Sequence, residues 1–103
     1  MTDTQGAARF FRALSVESRL EIARLLKDRW LCVNALAGRL RITAAAVSQH
    51  LRVLRNERLV MSERRGTYVH YRLDLKTLSE RNRAAVRLLG RGNRDSRSRK
   101  GKR

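Results

Sequence analysis

A helical stretch in the middle of the chain carries side chains that could hydrogen-bond to another molecule. In residues 41–60, RITAAAVSQHLRVLRNERLV, a rotation of roughly 100° per residue places small, polar and cationic side chains on one face: Ala45, Ser48, Gln49, Arg52 and Arg55. Apolar side chains fall on the opposite face: Ala44, Val47, Leu51 and Leu54. The pattern predicts an amphipathic helix that packs one face on a core and presents the other to a ligand.

The chemistry of the polar face matches the edges of DNA bases. The amide of Gln49 offers the paired donor and acceptor that suit adenine, and the methyl groups of Ala45 and Ala46 can touch thymine methyl groups. Small residues at the start of the helix let its backbone approach the bases, whereas Arg52 and Arg55 come later and are better placed for phosphates. We therefore predict that the helix enters the major groove by its N-terminal half.

The pattern alone would also fit an ordinary surface helix, and the neighbouring elements favour the DNA-binding interpretation. A short predicted helix, NALAGRL at residues 34–40, comes before it, and Thr43 has the side chain and the position to cap the helix that follows. Residues 59–73 then alternate apolar and polar types, which predicts a β-hairpin with Arg64 and Arg65 at its tip. Helix, turn, helix and basic hairpin together predict a winged helix.

Helical periodicity on both sides of this unit completes the predicted fold. Residues 7–14 and 16–27 have the apolar stripes of helices, the second formed by Val16, Leu20, Ile22, Ala23 and Leu26. Asp74 is placed to cap a last helix, whose stripe surrounds Asn82: Leu75, Leu78, Ala85, Val86 and Leu89. The predicted fold class is therefore mainly α with a small β-hairpin: four helices, the hairpin and a fifth helix.

Composition indicates a polyanionic partner. The 103 residues suffice for one domain, and 25 Lys and Arg, of which 21 are Arg, oppose 9 Asp and Glu for a net charge of +16. Such an excess favours nucleic acid, since each phosphate neutralised releases counterions. No apolar run approaches the roughly 20 residues of a membrane span, and the start MTDTQGAARFF is unlike a signal peptide. We expect no membrane partner and a cytoplasmic, nucleoid-associated protein.

The end of the chain differs in composition from the rest. Residues 90–103, GRGNRDSRSRKGKR, hold seven basic residues and one Asp, a net charge of +6 that leaves +10 for residues 1–89. High charge without apolar side chains predicts a disordered tail with non-specific affinity for DNA. We therefore divide the chain into a folded domain at 1–89 and a basic tail at 90–103.

Three segments within residues 10–73 carry a family resemblance. LSVESRLEIARLL, VSQHLRVL and RRGTYVHYRL are similar to the ArsR/SmtB family of bacterial winged-helix repressors. The resemblance implies a homodimer that binds a palindromic operator, represses transcription and releases DNA when an inducer binds. Domain 1–89 would thus serve both DNA binding and dimerisation.

The resemblance also assigns residues to the two interfaces. The recognition helix and the wing would contact DNA through Ala45, Ala46, Ser48, Gln49, Arg52, Arg64 and Arg65. Our predicted DNA-binding set adds Thr43 and Arg55 at the two ends of that helix. The first and last helices would form the dimer interface through Phe10, Phe11, Leu75, Leu78, Asn82, Val86 and Leu89.

The sequence departs from the family at its metal-binding positions and at two turns. Members that sense soft metals carry Cys-Val-Cys where this chain has Cys32-Val33-Asn34, and soft metals need two or three thiolates. A second family site uses Asp, His and Glu on the last helix, but residues 74–103 contain no histidine. We therefore predict no metal and no other cofactor, and the residues do not identify an inducer.

Two turn positions that are commonly glycine in the family are Arg41 and Arg58 here. A positive φ at a non-glycine residue costs on the order of 1 kcal/mol. Two outcomes are therefore open at the sequence level: the turns keep that backbone conformation under strain, or they are reshaped.

Four further residues have competing interpretations. Cys32, the single cysteine, is either a buried, inert thiol or a candidate redox switch whose thiolate nearby positive charge would favour. His50 lies beside the apolar stripe, which favours packing or a hydrogen bond over metal binding. His70 falls on the polar side of the hairpin, where we expect a solvated side chain or a phosphate contact. Trp30 is expected to cover the edge of the core.

The sequence contains no recognisable catalytic pattern. It has no glycine-rich phosphate loop and no nucleophile and base at a usable spacing, so we predict no catalytic residues and no enzyme activity. The leading prediction is a sequence-specific transcriptional repressor that binds double-stranded DNA as a homodimer. The alternatives are a basic architectural or RNA-associated protein without sequence readout, and a protein-interaction module that no longer reads DNA.

Overall fold

A computed structural model describes residues 2–90 of the chain. Its elements are α1 (Asp3–Leu14), α2 (Glu17–Leu26), β1 (Leu31–Cys32), α3 (Val33–Leu40), α4 (Ala44–Asn56), β2 (Val60–Arg65), β3 (Tyr68–Leu73) and α5 (Leu75–Gly90). This order confirms the predicted winged helix-turn-helix, with α3 and α4 as the helix pair and β2 and β3 as the wing. The predicted tail begins at Gly90, which the structure places at the end of α5, and its remaining residues, 91–103, lie outside the described residues.

The sheet has three antiparallel strands in the order β1-β3-β2. Leu31 pairs with Tyr71, and Val60 pairs with Leu73, and all four residues pack on or within the helical core. Gly66 turns the hairpin with a φ of 65°, a conformation that glycine adopts without strain. Sequence alone gives no signal for β1, because a strand of two residues is too short to show alternation.

A single hydrophobic core joins the helices to the sheet. Its buried residues are Phe10, Ala13, Ile22, Ala23, Leu26, Leu36, Val47, Leu51, Leu54, Leu59, Val60, Leu73 and Ala85. Among them are the three large apolar residues predicted for the inner face of α4, which confirms the orientation of that helix. Within residues 2–90, no helix has the length and apolar character needed to cross a membrane.

Four residues on the predicted helical stripes are buried or exposed in a way that the stripes alone do not predict. Leu20 is 52% exposed and Ala44 is exposed on the first turn of α4, so neither belongs to the core. Phe10 and Ala85 are each 2% exposed, because α1 and α5 pack against each other there. Phe10 is therefore a core residue rather than part of a dimer surface. Periodicity identifies a helical face, but the neighbouring elements decide how wide its buried part is.

Capping side chains fix the starts of α1 and α5. The hydroxyl of Thr2 accepts a hydrogen bond from the amide of Gln5 at 3.0 Å, and the Gln5 side chain accepts one from the Thr2 amide at 2.9 Å. This capping box extends α1 to Asp3, four residues before the predicted start at Ala7. The carboxylate of Asp74 accepts a hydrogen bond from the Thr77 amide at 3.0 Å, which confirms its predicted role at the start of α5.

Candidate nucleic-acid interface

The two faces of α4 are separated as the sequence predicts. Val47, Leu51 and Leu54 are at most 2% exposed and anchor the helix on the core. The polar and cationic residues of the predicted contact set are all exposed on the opposite side: Ser48, Gln49, Arg52 and Arg55. Ala45 is exposed too, whereas Ala46 is half-buried. The helix therefore presents a small-residue start and a polar, basic continuation to solvent.

The start of α4 is fixed by its cap and by the turn before it. The Thr43 hydroxyl accepts a hydrogen bond from the Ala46 amide at 3.0 Å, which confirms the predicted cap. Arg41 adopts the left-handed conformation, with φ 58° and ψ 43°, and its amide donates to the Ala37 carbonyl at the end of α3. Arg58 has a φ of 60°. Of the two outcomes open for these arginines, the turns therefore keep the positive-φ conformation.

The other end of α4 is joined to two further helices through Glu57. One oxygen of this carboxylate lies 2.9 Å from Arg9 of α1, and the other lies 3.0 Å from Arg81 of α5. Arg81 also donates to the Glu57 carbonyl at 2.7 Å and to the Gly6 carbonyl at 3.3 Å, and its guanidinium carbon lies 5.4 Å from the centre of the Phe10 ring. We call Glu57, Arg9 and Arg81 the Glu57 cluster.

The charges of the Glu57 cluster determine the protonation of its carboxylate. Burial acts to raise the pKa of Glu57, but the hydrogen bonds and positive charges of Arg9 and Arg81 outweigh it, so that this pKa is lowered from 4.5. The carboxylate is ionised at neutral pH. No sequence pattern predicts the cluster, since Arg9 and Arg81 lie 48 and 24 residues from Glu57 along the chain. The one available signal is an acidic residue at a helix end within an arginine-rich sequence.

A second contact joins the inner edge of α4 to α2. Arg19 donates to the Ala13 carbonyl at 2.7 Å, and its guanidinium lies 3.3 Å from Nδ1 of His50. Burial, and then the charge of Arg19, lower the pKa of His50 from 6.5. Because arginine can only donate, Nδ1 accepts and the imidazole is neutral. His50 thus has the hydrogen-bonding role that its position beside the stripe favours.

The two arginines at the wing tip have different surroundings. Arg64 is exposed. The guanidinium carbon of Arg65 lies 5.2 Å from the centre of the Trp30 ring, and its Nε donates to Glu63 at 2.9 Å. Trp30, predicted to cover the edge of the core, contacts the wing instead and is not among the apolar residues packed on the core. His70 is half-buried rather than solvated, and its buried Nδ1 has no hydrogen-bond partner among the described residues.

Most residues of the predicted dimer interface are exposed in the structure. Apolar side chains stand exposed on one side of α5, namely Leu75 at 51%, Val86 at 56% and Leu89 at 69%, and Asn82 is exposed among them. Phe11 on α1 is 44% exposed, whereas Leu78 is half-buried against the core. With Phe10 and Leu78 packed on the core, the exposed apolar members are Leu75, Val86 and Leu89 on α5 and Phe11 on α1. This surface has no cover within the described part of the chain.

The residues around Cys32 do not fit a metal site. Cys32 is half-buried with a free thiol, directly before α3, and Asn34 supplies an amide where a second thiolate would be needed. Within residues 2–90, no group of three or more His, Cys, Asp or Glu side chains is arranged to hold a metal ion. Cys32 pairs across the sheet with His70. Its role as a redox switch stays a prediction.

The chain is similar to known bacterial regulatory proteins in sequence and in structure. A family described as bacterial regulatory protein, arsR family, matches residues 17–62. The solved structure of an ArsR-like transcriptional regulator from Rhodococcus sp. RHA1 is similar with a TM-score of 0.79 and 30% sequence identity, covering 89% of this chain and 87% of that one. This chain belongs to the arsR family. It is thus a member of a family of regulatory proteins, not of enzymes.

Two other arsR-related proteins extend the comparison. A transcriptional repressor SmtB homolog from Synechocystis is 41% identical over 73 residues, which are 71% of this chain and 55% of that protein. The chain therefore spans about half the length of this curated relative. A protein of Mycobacterium bovis, described as a homodimeric winged helix-turn-helix DNA-binding domain, has a TM-score of 0.69 and 25% identity, covering 88% of this chain and 82% of that one.

Proposed function

We propose that this arsR-family protein is a transcriptional regulator, a repressor, that binds a palindromic operator in double-stranded DNA as a homodimer. The observation that carries the proposal is the separation of faces on α4. Its apolar side chains are locked in the core, so Ser48, Gln49 and Arg52 are held outward on a rigid helix. Side chains that read bases must be positioned in this way, because a small displacement removes a bidentate contact.

The proposed DNA contacts of α4 divide into base contacts at its start and phosphate contacts further along. Ala45, Ser48 and Gln49 lie in the first two turns of α4 and would meet base edges in the major groove. Arg52 and Arg55 follow and would neutralise phosphates. Thr43 supports this interface mainly as the cap, since its hydroxyl already accepts the Ala46 amide. The net charge of +16 would add sequence-independent attraction, in which the proposed basic tail at 90–103 takes part.

The proposed dimer would cover the exposed apolar side of α5. Val86 and Leu89 leave more than half of their surface in water, an unfavourable state that a second copy would relieve. A two-fold dimer would present two α4 helices to successive major grooves, about one helical turn of DNA apart. Binding to chromosomal DNA would place the protein on the nucleoid in the cytoplasm.

The experiment compares specific with non-specific binding. The purified protein is titrated against a duplex from its own promoter region and a random duplex across a salt series, with and without residues 90–103. We expect a specificity ratio of about 10³ or more that survives removal of the tail. Equal affinity for both duplexes would favour the architectural alternative. A footprint on the promoter duplex should show a two-fold repeat, and an unsymmetrical single site would contradict the homodimer.

A further inference from the structure

The neighbouring wing arginines point to opposite sides of the hairpin. Arg64 pairs across the strands with Val69, and Arg65 pairs with Tyr68. Because side chains alternate along a strand, Arg64 shares its face with Val60, which is buried against the helices. Arg65 shares the outer face of the sheet with Glu63, in agreement with the 2.9 Å ion pair between them. The helical side, to which α4 belongs, is therefore the side of Arg64.

Arg65 is occupied by contacts within the protein. Its guanidinium carbon lies over the ring of Trp30, the residue directly before β1, and its Nε donates a hydrogen bond to the Glu63 carboxylate. No ion pair joins Arg64 to any residue in the described range 2–90. A cation–π contact and a directed hydrogen bond together favour one orientation of a guanidinium, which a flexible surface arginine lacks. One arginine is thus fixed and its neighbour is available.

We propose that Trp30 is a positioning residue for DNA binding, which holds the wing through Arg65 so that Arg64 meets a phosphate. The proposal rests on the proposed function and refines it, since Arg64 and Arg65 were predicted to contact DNA alike. Trp30 touches no DNA in this scheme. Its contact joins the loop before β1 to the tip of the wing, where the residues from Met61 to Tyr68 are otherwise exposed.

The competing scheme makes different predictions. If Arg65 itself neutralises a phosphate, then removing either arginine should lower the salt dependence of binding by about 0.9 in slope, and Trp30 should matter to folding alone. If Arg65 positions the wing, then its contact with Trp30 and its directed hydrogen bond to Glu63 matter. Lysine keeps the charge of Arg65 but has neither the flat guanidinium nor the Nε donor, so Arg65→Lys separates the two schemes.

The test is a double-mutant cycle on the promoter duplex. We expect Trp30→Ala to weaken binding by about two- to fivefold per half-site, the scale of an exposed cation–π contact, and Trp30→Phe to restore most of it. In the Arg64→Ala background, Trp30→Ala should have no further effect, because Trp30 acts through Arg64. Independent, multiplying losses would overturn the proposal, as would a Trp30→Ala protein that binds like the wild type.

Controls keep this outcome distinct from folding and from the proposed function. Each variant is first melted by circular dichroism, and should Trp30→Ala not fold, Arg65→Lys replaces it: weaker binding supports the proposal and unchanged binding overturns it. Trp30 is the single tryptophan, so its emission in the free protein should change in Arg65→Ala and stay unchanged in Arg64→Ala. A wild type that does not prefer its promoter would refute the proposed function, whatever the variants do.

Discussion

The two ends of α4 are held in opposite ways. At its start, the side chains face solvent and the contacts are those of the Thr43 cap and the buried side of the helix. At its end, Glu57 is bonded to α1 and α5 through two arginines. The exposed side of the start is therefore open to DNA, while the Thr43 cap and the buried Val47 fix its inner side. The Glu57 cluster ties the other end to α1 and α5, so the helix is held at both ends.

Near the C-terminal end of α4, two pairs of arginines have different electrostatic environments. Arg52 and Arg55 project from the helix into solvent, where their charges are available to phosphates. Arg9 and Arg81 converge on one carboxylate that is 11% exposed. Without this carboxylate, two like charges would face each other beside the core. Glu57 thus has the largest expected effect on stability among the residues that hold α4.

Among the variants considered, Glu57→Gln should have the largest effect on the free energy of unfolding. We expect Glu57→Gln to lower the free energy of unfolding by about 2–3 kcal/mol, because the partly buried Arg81 loses its counter-charge. Thermal and urea unfolding measure this loss. The matched control is Glu21→Gln, the same change in an exposed ion pair with Arg24, which should leave the melting temperature unchanged. Equal effects of both variants would contradict the special position of Glu57.

Glu57→Gln should also change how the free energy of unfolding responds to acid. The pKa of Glu57 is lowered in the folded state from 4.5, so its stabilisation is fully present above that pH and is lost as the pH falls through the lower folded value. Wild-type stability should therefore decline more steeply than that of Glu57→Gln on acidification below about pH 5. Parallel curves would show that the carboxylate is not held by its arginines.

On the exposed side of α4, we expect base reading to depend on Gln49. Gln49→Ala should reduce the preference for promoter over random duplex by about 1–3 kcal/mol while the salt dependence stays the same. Arg55→Ala is the complementary variant: it should weaken binding to both duplexes alike and lower the salt slope by about 0.9. If Gln49→Ala lost the same affinity for both duplexes, Gln49 would not be a base contact.

The Thr43 cap should have a smaller effect. Thr43→Ala removes the acceptor of the Ala46 amide and should cost about 1 kcal/mol of stability, whereas Thr43→Ser keeps the hydroxyl and should cost little. Denaturant unfolding of both variants measures the difference. If Thr43→Ser were as destabilised as Thr43→Ala, the methyl group rather than the cap would be responsible.

Sequence patterns were reliable here where a feature depends on neighbours in the same element. Three large residues on the inner face of α4, the Thr43 and Asp74 caps and the position of the hairpin are all set by residues within a few positions, and each agrees with the prediction. Phe10 was assigned to the wrong surface because its side depends on where α5 packs. The Glu57 cluster and the contact of Trp30 with Arg65 join distant segments, which no single-element pattern reports.

The turns show a different limit. Arg41 and Arg58 have positive φ values although glycine would adopt them with less strain. The sequence left two outcomes open, because local preference disfavours this conformation while the surrounding fold requires it. The closing bonds explain the result: the Arg41 and Ile42 amides both donate to the Ala37 carbonyl, and the Leu59 amide donates to Leu54, which ends α3 and α4 in these turns.

The smallest expected effect concerns His50, where α4 meets Arg19. The pKa of His50 is lowered from 6.5, so the unfolded chain takes up a proton at a higher pH than the folded one. Stability should therefore fall as the pH drops below about 6.5, a window separate from that of Glu57. We expect His50→Gln, which cannot be protonated, to lose less stability than the wild type between about pH 7.5 and pH 5.5. Urea unfolding at both pH values tests this, and a greater loss in the variant would mean that the imidazole is stabilised in its charged form, contrary to its contact with Arg19.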